Sequence, residues 1–154
     1  MPSFDARVAE LGLTLHGPHL PHDPLDAAVL HGGVARTSGQ LPRIGGELTC
    51  RGRLGAEVSI DDGAAAAAVC ALNGLAVLRM LLGTLDRIER VLWVTGFVAS
   101  TPDFHDQPAV VDGASRLLAD VFGRAGRHTR SAIGVATLPR GGAVELEMAV
   151  AVRS

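Results

Sequence analysis

Among the side chains able to do chemistry, Arg130 and the acid pair Glu145 and Glu147 stand out. A planar guanidinium with a carboxylate nearby and small neighbours makes a pocket suited to an anionic substrate. The plainer alternative is an ion pair on the surface of a sheet. Both segments that carry these residues alternate with a period of two, the mark of half-buried strands. In T-R-S-A-I-G-V, Ser131, Ile133 and Val135 share one face, and Arg130, Ala132, Gly134 and Ala136 the other. In V-E-L-E-M-A-V-A-V, Val144, Leu146, Met148, Val150 and Val152 face one way, with Glu145, Glu147, Ala149 and Ala151 opposite. Pro139 to Gly142 supplies a turn between them. As a final hairpin, the two strands bring arginine and glutamate together only if the register allows. A neighbouring subunit is the other route.

Two further groups invite chemistry and support it less. His16, His19 and His22 have a His-x-x-His-x-x-His spacing, but Pro18, Pro21 and Pro24 break the stretch 14–24 into an extended connector. That chain does not put the rings on one helical face, and only Asp23 joins them, so no metal is expected. His128, beside Arg127 and Arg130, has the elements of a nuclease acid/base. Against this stand a formal net charge of −2, one Trp, four Phe and no Tyr, which leave little to attract phosphates or stack bases. No nucleic-acid partner is expected. Cys50 and Cys70 fit free thiols in a reducing, cytoplasmic compartment better than a disulfide. The N-terminus has no basic segment followed by an apolar run. The apolar run Ala64–Leu82 contains Asn73, Gly74 and Arg79 and fits a buried helix better than a membrane span.

The elements that must position these groups are legible in order. With 154 residues and 47% hydrophobic content, a single domain (1–154) with an aliphatic core is expected. Residues 1–24 form an N-terminal helix, Phe4 to Leu11 capped by Ser3, and then the connector. Ala27–Leu30 and Val34–Ser38 predict strands joined around Gly32-Gly33. Glu47–Arg53 follows as a third. Ser59-Ile60-Asp61-Asp62 caps a helix that runs to Leu82 and stops at Gly83. Arg90–Ala99 is near-continuously apolar and predicts a central strand buried on both faces. Pro108 opens a second helix to about Phe122. The sum is an α+β two-layer sandwich, one mixed sheet with two helices on one face.

The chain also resembles the RidA/YjgF family, the reactive-intermediate deaminases, along its whole length. The resemblance rests on S-G-Q-L-P at 38–42, G-x-L-G at 52–55, R-S-A-I-G-V-A-T-L-P at 130–139 and V-E-L-E-M-A-V at 144–150. An A-E-L-G-L start and F-x-D-Q-P-x-V-x-x-G-A-S before the second helix place it in a branch with an extended N-terminus. The resemblance implies a chorismate-mutase-like fold assembled as a homotrimer with clefts between subunits. It also implies hydrolysis of enamine and imine intermediates to keto acids and ammonia without cofactor or metal. Arg130 would bind the carboxylate of a small metabolite, and Glu145 would position water, with Glu147 as fallback. Gly39 and Ser131 would line the cleft with Leu25, which falls where many active relatives carry a tyrosine. Asp112 and Ser115 are both candidates for the cleft residue of the second helix. The alternatives are a non-catalytic metabolite-binding trimer of the same fold and, less favoured, an endoribonuclease or translation inhibitor.

Overall fold

A computed structural model describes residues 3–154. Helix α1 (Phe4–Glu10) is capped by the Ser3 side chain, which accepts from the Ala6 amide. The connector leads to β1 (Ala28–His31) and β2 (Val34–Thr37), a hairpin turned by Gly32 and Gly33, both at positive φ. The expected third strand is replaced by a two-residue ribbon, β3 (Arg43–Ile44) with β4 (Glu47–Leu48), set apart from the main sheet. Helix α2 (Ile60–Leu82) starts at the predicted Ser59 cap and ends at Gly83 in the left-handed region. Strand β5 (Ile88–Ala99), helix α3 (Gln107–Phe122), β6 (Thr129–Val135) and β7 (Val144–Val152) complete the chain.

The five-stranded sheet has the order β1-β2-β7-β5-β6. Only β5 and β6 are parallel, joined by the α3 crossover; all other pairs are antiparallel. The mixed sheet and two helices are those expected. The final hairpin is not: β5 lies between β6 and β7, each bonded to it and not to the other. The Pro139–Gly142 turn instead carries the chain past the edge of β5, assisted by Arg140 at φ 63. Alternation fixes which face a residue takes, but not which strand lies beside it.

Helices α2 and α3 cover one face. Under them lie Val144, Leu146, Met148 and Val150 of β7 and Val91, Val94 and Val98 of β5, almost all without solvent exposure. The alanine run of α2 combines high helix propensity with small bulk, and the helices use that bulk. A side-chain carbon on Gly113 of α3 would fall 2.0 Å from the Ala64 carbonyl oxygen of α2. Helix α2 is long and apolar enough to cross a bilayer by length and composition, yet its buried residues, Cys70, Leu75 and Leu78 among them, belong to this core. Among the described residues the other face of the sheet carries no helix. There β5 is only partly covered: Thr95 is buried, but Trp93 is 40% exposed, and Ile133 of β6 43%.

Candidate active site

Strand β6 is the edge of the sheet, and Arg130 pairs with Val94 of β5, on the helix side. Its guanidinium reaches α3. Nη1 donates to Asp112 Oδ1 at 2.8 Å and to Ser115 Oγ at 3.0 Å, and Nη2 points to the Pro108 carbonyl at 3.4 Å. Asp112 and Ser115, three apart on a helix, share a face, so one arginine engages both. The two α3 candidates offered by the sequence are thus used together. Ser115 continues the row: its Oγ lies 3.0 Å from His128 Nε2, while His128 Nδ1 lies 2.6 Å from the Gly126 carbonyl. The carbonyl can only accept, so Nδ1 carries a hydrogen. Nε2 and the Ser115 hydroxyl share the other contact, and the serine oxygen accepts from Arg130. His128, weighed from sequence as a nuclease acid/base, here contacts the serine that Arg130 uses.

Glu145 sits elsewhere. It pairs with Phe97 of β5 on the open face, two strands from β6. The recess around it, of about 80 Å³, is lined by His19, Pro21, Ala27, Ser38, Gly39, Gln40, Leu41, Arg43 and Glu145. That is room for about two or three waters, not for a metabolite. Gly39 gives the Glu145 carboxylate its present place: a side-chain carbon there would lie 2.8 Å from the Glu145 carboxyl carbon, which would have to shift. Glu145 has no ion pair among the described residues, whereas Glu147 is tied to Arg36 at 3.4 Å. Burial pushes the Glu145 carboxyl above its usual range, and the neighbouring Glu147 adds to the shift. A carboxylate of raised basicity beside a water-sized recess suits a proton acceptor. This separates the two acids in a way that their shared face could not.

Arg130 and Glu145 therefore lie on opposite faces of the sheet, with β5 between their strands. Within one protomer they do not form one cleft. Ser131 pairs with Thr95 on the open face, away from the arginine beside it in sequence. Leu25 is 54% exposed on the connector and is not among the recess residues. His19 and Arg43 do line the recess. Sequence reasoning weighed His19 only as a metal ligand and passed over Arg43, because a proline-rich connector and a two-residue strand give no periodic signal of where they lie. Among the described residues no three His, Cys, Asp or Glu side chains are grouped to hold a metal; His19 lies by Glu145 instead.

With that geometry in place, comparison with known proteins decides the family. Residues 9–145 match the family described as "YjgF/chorismate mutase-like, putative endoribonuclease". The chain belongs to the YjgF family. Protein TCP17 of Trypanosoma cruzi is 42% identical over 148 residues, which cover 94% of this chain and 91% of that one. The crystal structure of Atu1372 from Agrobacterium tumefaciens, a protein of unknown function, superposes with a TM-score of 0.90 at 38% identity, covering 99% and 94% of the two chains. A "putative endoribonuclease" from Shewanella oneidensis gives 0.94 at 28% identity, covering 98% and 100%. The two superposed structures cover 99% and 98% of this chain, beyond the residues 9–145 of the family match.

Proposed function

We propose that this YjgF protein is a homotrimer that hydrolyses small reactive imino acids to keto acids and ammonia. Arg130 binds the substrate carboxylate, and Glu145 of an adjacent protomer activates water. The observation that carries this reading is the contrast between the two half-sites. One presents a guanidinium oriented by Asp112 and Ser115, with the Asp112 carboxylate already held by it; the other, whose wall includes His19 and Arg43, presents a carboxylate of raised basicity with no ion pair among the described residues and space for water. The first supplies the oriented carboxylate binder and the second the free proton acceptor. The helix-free face of the sheet, with Trp93, Phe97, Ile133 and Ala149, gives the subunits an apolar surface to bury.

The chemistry needs two things of the protein. A bidentate contact fixes the carboxylate and, through it, the neighbouring imine carbon. A carboxylate within hydrogen-bond reach takes a proton from water as its oxygen attacks that carbon; the carboxyl then returns the proton to the nitrogen of the amino alcohol, which leaves as ammonia while the hydroxyl gives up its proton and the carbonyl forms. Glu145, unpaired and of raised basicity, suits this role better than Glu147, whose carboxylate is held by Arg36.

The test is ammonia release from freshly generated 2-iminopropanoate, together with pyruvate binding by calorimetry. Arg130→Ala should abolish both. Arg130→Lys should rescue poorly, because an ammonium keeps the charge and loses the planar fork. Unchanged binding and hydrolysis in Arg130→Ala would sink this assignment. Binding without turnover in the wild type would identify a metabolite-binding trimer instead. Leu25, with no hydroxyl where many active relatives carry a tyrosine, favours that second reading, and a gain of activity in Leu25→Tyr would trace the deficit to that position.

A further inference from the structure

We propose that Asp112 determines the specificity of the Arg130 site, turning it toward dipolar ligands that carry a protonated nitrogen beside the carboxylate and away from plain anions. The inference rests on Arg130 being the carboxylate binder, as proposed above. A guanidinium has five N–H groups. Here both hydrogens of Nη1 are engaged, by Asp112 Oδ1 at 2.8 Å and Ser115 Oγ at 3.0 Å. The Nε–Nη2 edge has only the long contact to the Pro108 carbonyl, at 3.4 Å. That edge is itself a two-donor fork, so a ligand carboxylate can dock there without displacing Asp112.

The arginine therefore offers direction without net charge. The Asp112 carboxylate lies against it and cancels the long-range attraction that would draw any anion. The other charged groups nearby do not restore it. Arg116 approaches Asp112 Oδ2 only to 3.8 Å, and its side chain is 77% exposed, so water and salt screen that pairing. His128 is bonded to Ser115 and the Gly126 carbonyl rather than to Asp112. A plain carboxylate gains the fork's hydrogen bonds but meets the Asp112 charge. A ligand with an iminium or ammonium next to its carboxylate gains the same bonds and is attracted by Asp112. The site then favours a protonated imino acid over the keto acid that its hydrolysis yields, which helps product leave.

Pyruvate and alanine share a carbon skeleton and differ in the keto or ammonium group, so they are the probes. Both are titrated by calorimetry into the full chain, wild type and Asp112→Asn. The amide keeps an acceptor for Arg130 and removes the charge; Asp112→Ser serves as a second neutral variant if the first fails to fold. Pyruvate should bind the neutral variants about 5–10-fold more tightly, with a steeper loss as salt is added, while alanine affinity is unchanged or weaker. An unchanged pyruvate-to-alanine ratio, with Arg130→Ala still abolishing binding of both, would overturn the role of Asp112 and leave the proposed function standing. Retained binding in Arg130→Ala would overturn the function itself, and this inference with it.

Discussion

At the scale of single residues, the two acids of the E-L-E run are distinguished by their surroundings rather than by position. Glu145→Gln nearly preserves shape and removes the proton acceptor, so turnover should fall by about 10²–10⁴ while ligand binding is kept. Glu147→Gln should change turnover far less, and the pair of rate measurements decides which acid is the base. The raised pKa of Glu145 also has a consequence for stability. The folded chain holds this proton at pH values where the unfolded chain has released it. Its unfavourable contribution is absent below the usual glutamate range, and grows as pH rises from there through the raised value. Thermal melts of Glu145→Gln should therefore exceed those of wild type at pH 7 and converge with them near about pH 4. The sequence showed the arginine and both acids. The resemblance put the water-positioning role on Glu145 with Glu147 as fallback, but residue type and face alone did not separate the two, because the separation depends on Arg36, which reaches Glu147 from a different strand.

At the scale of elements, caps and glycines were legible and neighbours were not. Ser59, Gly83, Ser3 and the Gly32-Gly33 turn lie where local chemistry puts them, because a cap or turn is settled within a few residues. The β6–β7 pairing was misread for the opposite reason: insertion of β5 between them is a long-range choice. The apolar run of β5 carried the one hint, since a strand of that kind belongs at the centre of a sheet. The α2–α3 contact was equally silent in sequence, and it governs where Asp112 and Ser115 stand relative to Arg130. Gly113, next to Asp112, is a point where the two backbones approach closely. Backbone cannot give way as a side-chain end can, so Gly113→Ala should force the helices apart. The expected cost is about 3 kcal/mol, read as a lower denaturation midpoint in urea. The preference for alanine over pyruvate should shrink too, as α3 carries Asp112 away from Arg130.

At the scale of the whole molecule, what one protomer leaves unfinished is the strongest guide. The sheet has one covered and one bare face, and the two half-sites lie on opposite sides of it. Light scattering should give the mass of three chains at micromolar concentration; a monomer mass would remove the apolar face as a subunit interface, and the shared cleft with it. The placement of β5 between β6 and β7 has a genetic counterpart. If a cleft takes its arginine from one chain and its glutamate from the next, two dead variants can repair each other. Arg130→Ala and Glu145→Gln, each inactive alone, should regain activity when unfolded together and refolded as a mixture. With random assortment at equal amounts, about one cleft in four receives both intact groups. Two alleles that each abolish function would then complement within one cell, as lesions in a self-contained active site do not.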